Sequence, residues 1–100
     1  MAKPRITVEL SEEGGASGVV NLLLNEEGRA LLITSLQSLS RENDHFHMFA
    51  PEWGADNEPL SLKPYKEGSS TAGHLKVHYR PDDWDREYFP HLFEPEGAGK

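Results

Sequence analysis

His45 and His47 stand two residues apart in the segment His45-Phe46-His47-Met48-Phe49. Side chains of an extended chain alternate between two faces, so both imidazoles point the same way, a spacing that metal-binding proteins use. A catalytic zinc site needs a third protein ligand. His74 and His78, in a second extended segment, can supply it, and a small metal-dependent hydrolase built on these four histidines is one reading. No helical His-Glu-x-x-His pattern supports it. The plainer alternative is a set of strand-surface histidines without a metal. Which of the two applies depends on whether the two strands pair with their histidine faces together.

Other residue types point to binding rather than to catalysis. Trp53 lies in Pro51-Glu52-Trp53-Gly54-Ala55-Asp56, a stretch with the composition of a loop. A loop tryptophan either plugs the end of a core or stands out as a binding anchor, because Trp dominates interface hot spots. Glu52, Asp56 and Glu58 would rim it with negative charge in either case. Asp82, Asp83, Asp85 and Glu87, with Trp84 among them, form a second acidic cluster. Its spacing fails the calcium-loop pattern, so a solvated face or a contact surface for a basic partner is the better reading. There is no cysteine, no serine in a Gly-x-Ser-x-Gly elbow, and no phosphate-binding glycine loop, so nothing compels an enzyme and no cofactor is implied.

These side chains must be positioned by strands and a helix. Ile6, Val8 and Leu10 alternate with Thr7, Glu9 and Ser11, which reads as a half-buried strand. A glycine-rich turn around Gly14-Gly15 leads into a second strand over Gly18 to Leu24. Asn25 can cap a helix running from about Glu26 to Arg41, with Glu26 and Glu27 in its first turn complementing the dipole. Gly28 costs such a helix ~1 kcal/mol against alanine, which implies either a late helix start or a second backbone packed closely there. His45 to Phe49 is a third strand, and Leu60 to Lys63 a short edge strand between prolines. Tyr65 to Gly73 is a polar linker, and Gly73 to Arg80 the clearest remaining strand, with Leu75, Val77 and Tyr79 facing inward and His74, Lys76, His78 and Arg80 as a basic stripe on the other face. Asp82 or Asp83 can cap a short helical segment that Pro90 interrupts.

The expected architecture is α+β: an antiparallel sheet of four or five strands, with one main helix burying Leu32, Leu36 and Leu39 against Val8, Leu22 and Val77. One hundred residues suffice for one domain, over about 1–93, with 94–100 as a disordered tail. Seventeen acidic against ten basic residues give a net charge of −7, which argues against nucleic acid and favours a basic protein partner. No apolar run approaches the ~18–20 residues of a membrane span, no signal region follows Met1, and the absence of cysteine suits a reducing compartment, so a cytoplasmic location is expected. An open sheet edge would permit self-association.

The middle of the chain resembles the immunity protein 32 family of bacterial polymorphic toxin systems. The points of likeness are Glu27 and Gly28 at the start of the leucine-rich helix, His45 and His47 in the strand, and Trp53 and Gly54 after it. They lie within about Leu24 to Leu62. The resemblance implies a small α+β cytoplasmic protein that binds a cognate toxin domain and blocks it, without catalysis of its own. A structural or regulatory binding module is the blander alternative.

Overall fold

The computed structural model describes residues 3–13, 16–54 and 57–94. The glycine pair at 14–15, Asp56 and the expected tail at 95–100 therefore lie outside the described residues. The architecture is α+β, with two antiparallel sheets and two helices. Strands β1 (Ile6–Glu13) and β2 (Ala16–Leu24) pair antiparallel, with Ile6 opposite Leu24, Val8 opposite Leu22 and Leu10 opposite Val20. That register puts Ile6, Val8 and Leu10 on one face with Leu24, Leu22 and Val20, while Val19 and Leu23 lie on the other with Ser11 and Thr7. After helix α1 (Glu26–Gln37) come β3 (His45–Phe49), the two-residue β4 (Ser70–Thr71) and β5 (His74–His78). The chain closes on helix α2 (Asp82–Tyr88) and a 3-10 turn at Pro90–Phe93.

The expected single sheet is in fact two: β2-β1-β4 and β3-β5. The chain around Leu60 joins them. Ile6 donates its N–H to the Pro59 carbonyl (2.9 Å), Ser61 donates to the Ile6 carbonyl (2.8 Å), and Leu60 donates to Phe49 (3.0 Å). Leu60 thus makes one parallel bridge to β1 and no edge strand. Neither Pro59 nor Pro64 has an N–H to extend a ladder, and the expected strand over Leu60 to Lys63 is a single bridge. A second link runs through the supposed linker, where Ala72 donates to Val8 (3.0 Å) and Ala50 to Gly73 (2.9 Å).

The start of α1 follows expectation, and its end does not. The Asn25 side chain accepts from Gly28 N (2.7 Å) and from Arg5 N (2.8 Å) through its Oδ1, while its Nδ2 donates to the Lys3 carbonyl (2.8 Å). One residue therefore caps the helix and ties it to the backbone that leads into β1. A β-carbon at Gly28 would run into the Arg5 carbonyl, so close backbone approach explains that glycine. The helix stops at Gln37, short of Arg41. Ser38 Oγ donates to Ser35 O (2.7 Å), Asn43 Nδ2 donates to Ser38 O (3.0 Å) and Ser40 N donates to Asn43 O (3.0 Å). Short polar side chains satisfy the last turn there and end it.

The core is small and lies where the two sheets meet. Ile6, Val8, Met48, Ala50 and Leu60 are buried, with Leu24, Leu31, Leu32, Phe46, Leu62, Ala72 and Leu75 packed against them. Of the helix residues expected inside, Leu32 contributes, but Leu36 is 47% exposed, and so, at 46%, is its expected partner Leu22. Anchored at Gly28, α1 covers the Ile6 and Leu24 end of the sheet and leaves the far end open. The supposed solvent face of β1 is covered as well. Thr7 and Glu9 are buried, and a Glu9 carboxylate oxygen accepts from Tyr65 N (2.6 Å) and Lys66 N (3.4 Å). Burying a carboxylate requires such donors, and the 61–66 segment folds over β1 to supply them.

Three substitutions separate this core from the one the sequence suggests. In urea denaturation Leu60→Ala should cost ~2–5 kcal/mol, as emptying a packed leucine site does, whereas Leu36→Ala should stay within about 0.5 kcal/mol. Gly28→Ala, which would favour an isolated helix by about 1 kcal/mol, should instead destabilise. Equal costs at Leu60 and Leu36 would contradict the packing.

Candidate functional site

Strands β3 and β5 do pair with their histidine faces together. The register sets His45 opposite His78, His47 opposite Lys76 and Phe49 opposite His74. Phe46, Met48, Leu75 and Val77 occupy the other face and turn toward the core. The outer rings form a row. Their centroids are 5.6 Å apart for His78 and His45, 5.2 Å for His45 and His47, 5.0 Å for His47 and His74, and 4.3 Å for His74 and Phe49. Most neighbours are stacked, and His45 meets His47 edge-on.

Within the row His47 Nδ1 and His74 Nε2 are 2.8 Å apart. A hydrogen bond there needs one bare nitrogen, so at least one of the two rings is neutral. Partial desolvation in the stack, then the nearby charges of His74, His45, Lys76 and His78, hold His47 below the usual histidine value. At the near end His45 Nδ1 meets Asp44 Oδ1 at 2.8 Å, and this bond holds Asp44 below the usual carboxylate range.

This geometry bears on the metal reading. His47 and His74 converge, but among the described residues no group of three or more His, Asp or Glu is arranged to hold a metal ion. The histidines also face open solvent. They line none of the larger depressions, including one of about 540 Å³ beside Lys3, Arg5, Asn25 and Glu58. A hydrolase would need both a third ligand and a cleft that excludes water.

The two acidic–aromatic patches sit at opposite ends of the row. Beyond Phe49 and His74, Trp53 ends a 3-10 turn at Pro51–Trp53 and is 69% exposed. It is therefore no core plug. Its indole lies against Gly73, where a β-carbon would come within 2.7 Å of Nε1 and 3.2 Å of Cε2. The sequence does not single out Gly73; a glycine directly before a strand is the available signal. Glu52 is exposed beside Trp53. At the other end, Arg80 lies 4.5 Å over Trp84, which also packs on Tyr88 (4.6 Å) and Phe89 (5.6 Å) and is half-buried. Neither Asp82 nor Asp83 caps α2: Pro81 takes that position without a side-chain bond. Asp82 and Asp85 join the first turn, while Asp83 is gripped by both guanidinium nitrogens of Arg41 at 3.0 and 3.1 Å. That bond lowers the Asp83 pKa and raises that of Arg41. The carboxylate expected to meet a basic partner is already paired within the chain.

The His47 contact has a titration signature. With its folded pKa depressed, the protein binds fewer protons than the unfolded chain just below pH 6.5, so this site's stabilisation is complete above that pH and falls as pH drops through it. Ring NMR should give His47 a midpoint below 6.5 that rises in His74→Ala. A midpoint at or above the free value would contradict the stacked pair.

Among the described residues no helix is long and apolar enough to cross a membrane. No protein-family model, curated protein or solved structure shows a significant match to this chain. Function must be read from the residues themselves.

Proposed function

We propose that this chain is a non-catalytic, immunity-type protein that binds a cognate bacterial toxin domain and neutralises it by occupying it. Trp53 is the observation that carries this reading. An indole so exposed, held in place by a 3-10 turn and by the Gly73 backbone, loses little freedom on binding and offers a large contact area. It lies against Gly73, the residue next to His74, whose ring stacks on Phe49. The net charge of −7 favours rapid capture of a basic partner, such as a nuclease domain. The likeness of Glu27, Gly28, His45, His47, Trp53 and Gly54 to immunity protein 32 points the same way.

Of the two candidate patches, the one around Glu52 and Trp53 is favoured over Asp82, Asp83, Trp84 and Asp85. The second has its tryptophan half-covered and its Asp83 engaged by Arg41.

Coexpression with a toxin-like protein encoded beside this chain tests the reading, and the lack of any such neighbour would count against it. Growth should be rescued and the two chains should copurify. Trp53→Ala should then weaken the complex by ~2–4 kcal/mol, about 30-fold or more in Kd, without unfolding the protein. No rescue, or a Trp53→Ala protein that binds as tightly as the parent, would refute it.

A further inference from the structure

Strand β2 is an edge, and it lacks the protection that edges of soluble proteins carry. Sheet order puts β1 on one side of it, and among the described residues nothing pairs with the other. From Gly18 to Leu24 it contains no charged residue and no proline, the usual devices that stop an edge from pairing with another chain. The register shift near Ser11, with Gly18 at φ 75°, confines the irregularity to its first residues and leaves Val19 to Leu24 regular. The other edges differ. β4 is two residues long, and in the two-stranded sheet β3 alternates His45 and His47, and β5 alternates His74, Lys76 and His78, with their other residues.

The face beside this edge is also incomplete. Val20 is 61% and Leu22 46% exposed, although both lie on the side that α1 covers further along. Leu10, Ile33 and Leu36 are exposed as well. The chain presents 7424 Å² of surface, where a compact protein of its mass presents about 5,700 Å². Its radius of gyration is 16.6 Å, against about 13 Å for a compact chain of this length. The surplus is shared between this face and the C-terminal segment, where Tyr88, Phe89, Leu92 and Phe93 are exposed as well.

We propose that the β2 edge is the interface of a homodimer, in which β2 pairs antiparallel with β2 of a second copy about a two-fold axis. An uncharged strand is complementary to itself in this arrangement, because no like charges are brought together. A register with Asn21 or Leu22 opposite itself keeps Val20 and Leu22 of both copies on one face. The two three-stranded sheets then merge into six strands. Both α1 helices lie on the same side, and the exposed leucines and valines at the centre gain cover from both copies.

Light scattering on the full chain during size-exclusion chromatography tests this. The expected result is a single species of twice 11.2 kDa that dissociates on dilution. A one-chain mass at every concentration, or an open series of larger species, would overturn it. Val20→Lys puts a charge beside the edge and should give a folded monomer by circular dichroism; a persisting dimer would overturn the assignment. Should that variant fail to fold, hydrogen exchange on the parent protein decides: β2 amides should lose protection on dilution into the monomer, and unchanged protection would count against the interface.

Discussion

The backbone of Ile6 holds this protein together. Its N–H and carbonyl are both engaged by the chain around Leu60, at Pro59 and Ser61, and Leu60 in turn donates to Phe49. Three separate segments therefore meet at two side chains, Ile6 and Leu60, which are almost wholly buried. Together with the Ala72 to Val8 hydrogen bond, this junction gives the β1–β2 hairpin and the β3–β5 ribbon a common core. With it, the inner face of the ribbon, Met48 included, packs against Ile6, Val8 and Leu60, and the outer face with its imidazoles looks into solvent. The position of the candidate site thus follows from a junction that touches the ring row only at the Phe49 carbonyl.

Much of the local structure is legible in the sequence because it follows from one-dimensional rules. Two-residue alternation locates β1, β3 and β5; Asn25 with Glu26 and Glu27 locates the start of α1; the ambiguity at Gly28 resolves as contact with the Arg5 carbonyl. What escapes the sequence depends on segments far apart in the chain. Glu9 looks like a solvent-facing strand residue until the 61–66 loop brings it two N–H donors. Leu36 repeats at core spacing, yet the anchor at Gly28 directs the helix over the other end of the sheet. The early stop of α1 rests on hydrogen bonds from Ser38 and Asn43 that local propensity does not foretell.

The candidate site shows the same division. That His45 and His47 share a face, and that His74 and His78 share another, follows from alternation alone. That these faces coincide depends on the register of β3 with β5, and so does the place of Phe49 beside His74. The tie between Asp83 and Arg41 spans half the chain and removes a carboxylate that composition alone counts as available. Net charge also proves a poor guide to local chemistry. The whole chain is acidic, yet its most ordered surface is a row of imidazoles with Lys76 among them and Arg80 at one end, and Trp53 stands at the other. A row of rings open to solvent in this way is suited to contact with another protein.

That claim is tested most directly by mapping where a partner sits, using NMR on this chain with a copurifying toxin domain added. The account predicts that the Trp53 indole N–H and the backbone amides of Gly73, His74 and Phe49 shift on binding. Shifts confined to α2 around Trp84, with Trp53 unchanged, would contradict it.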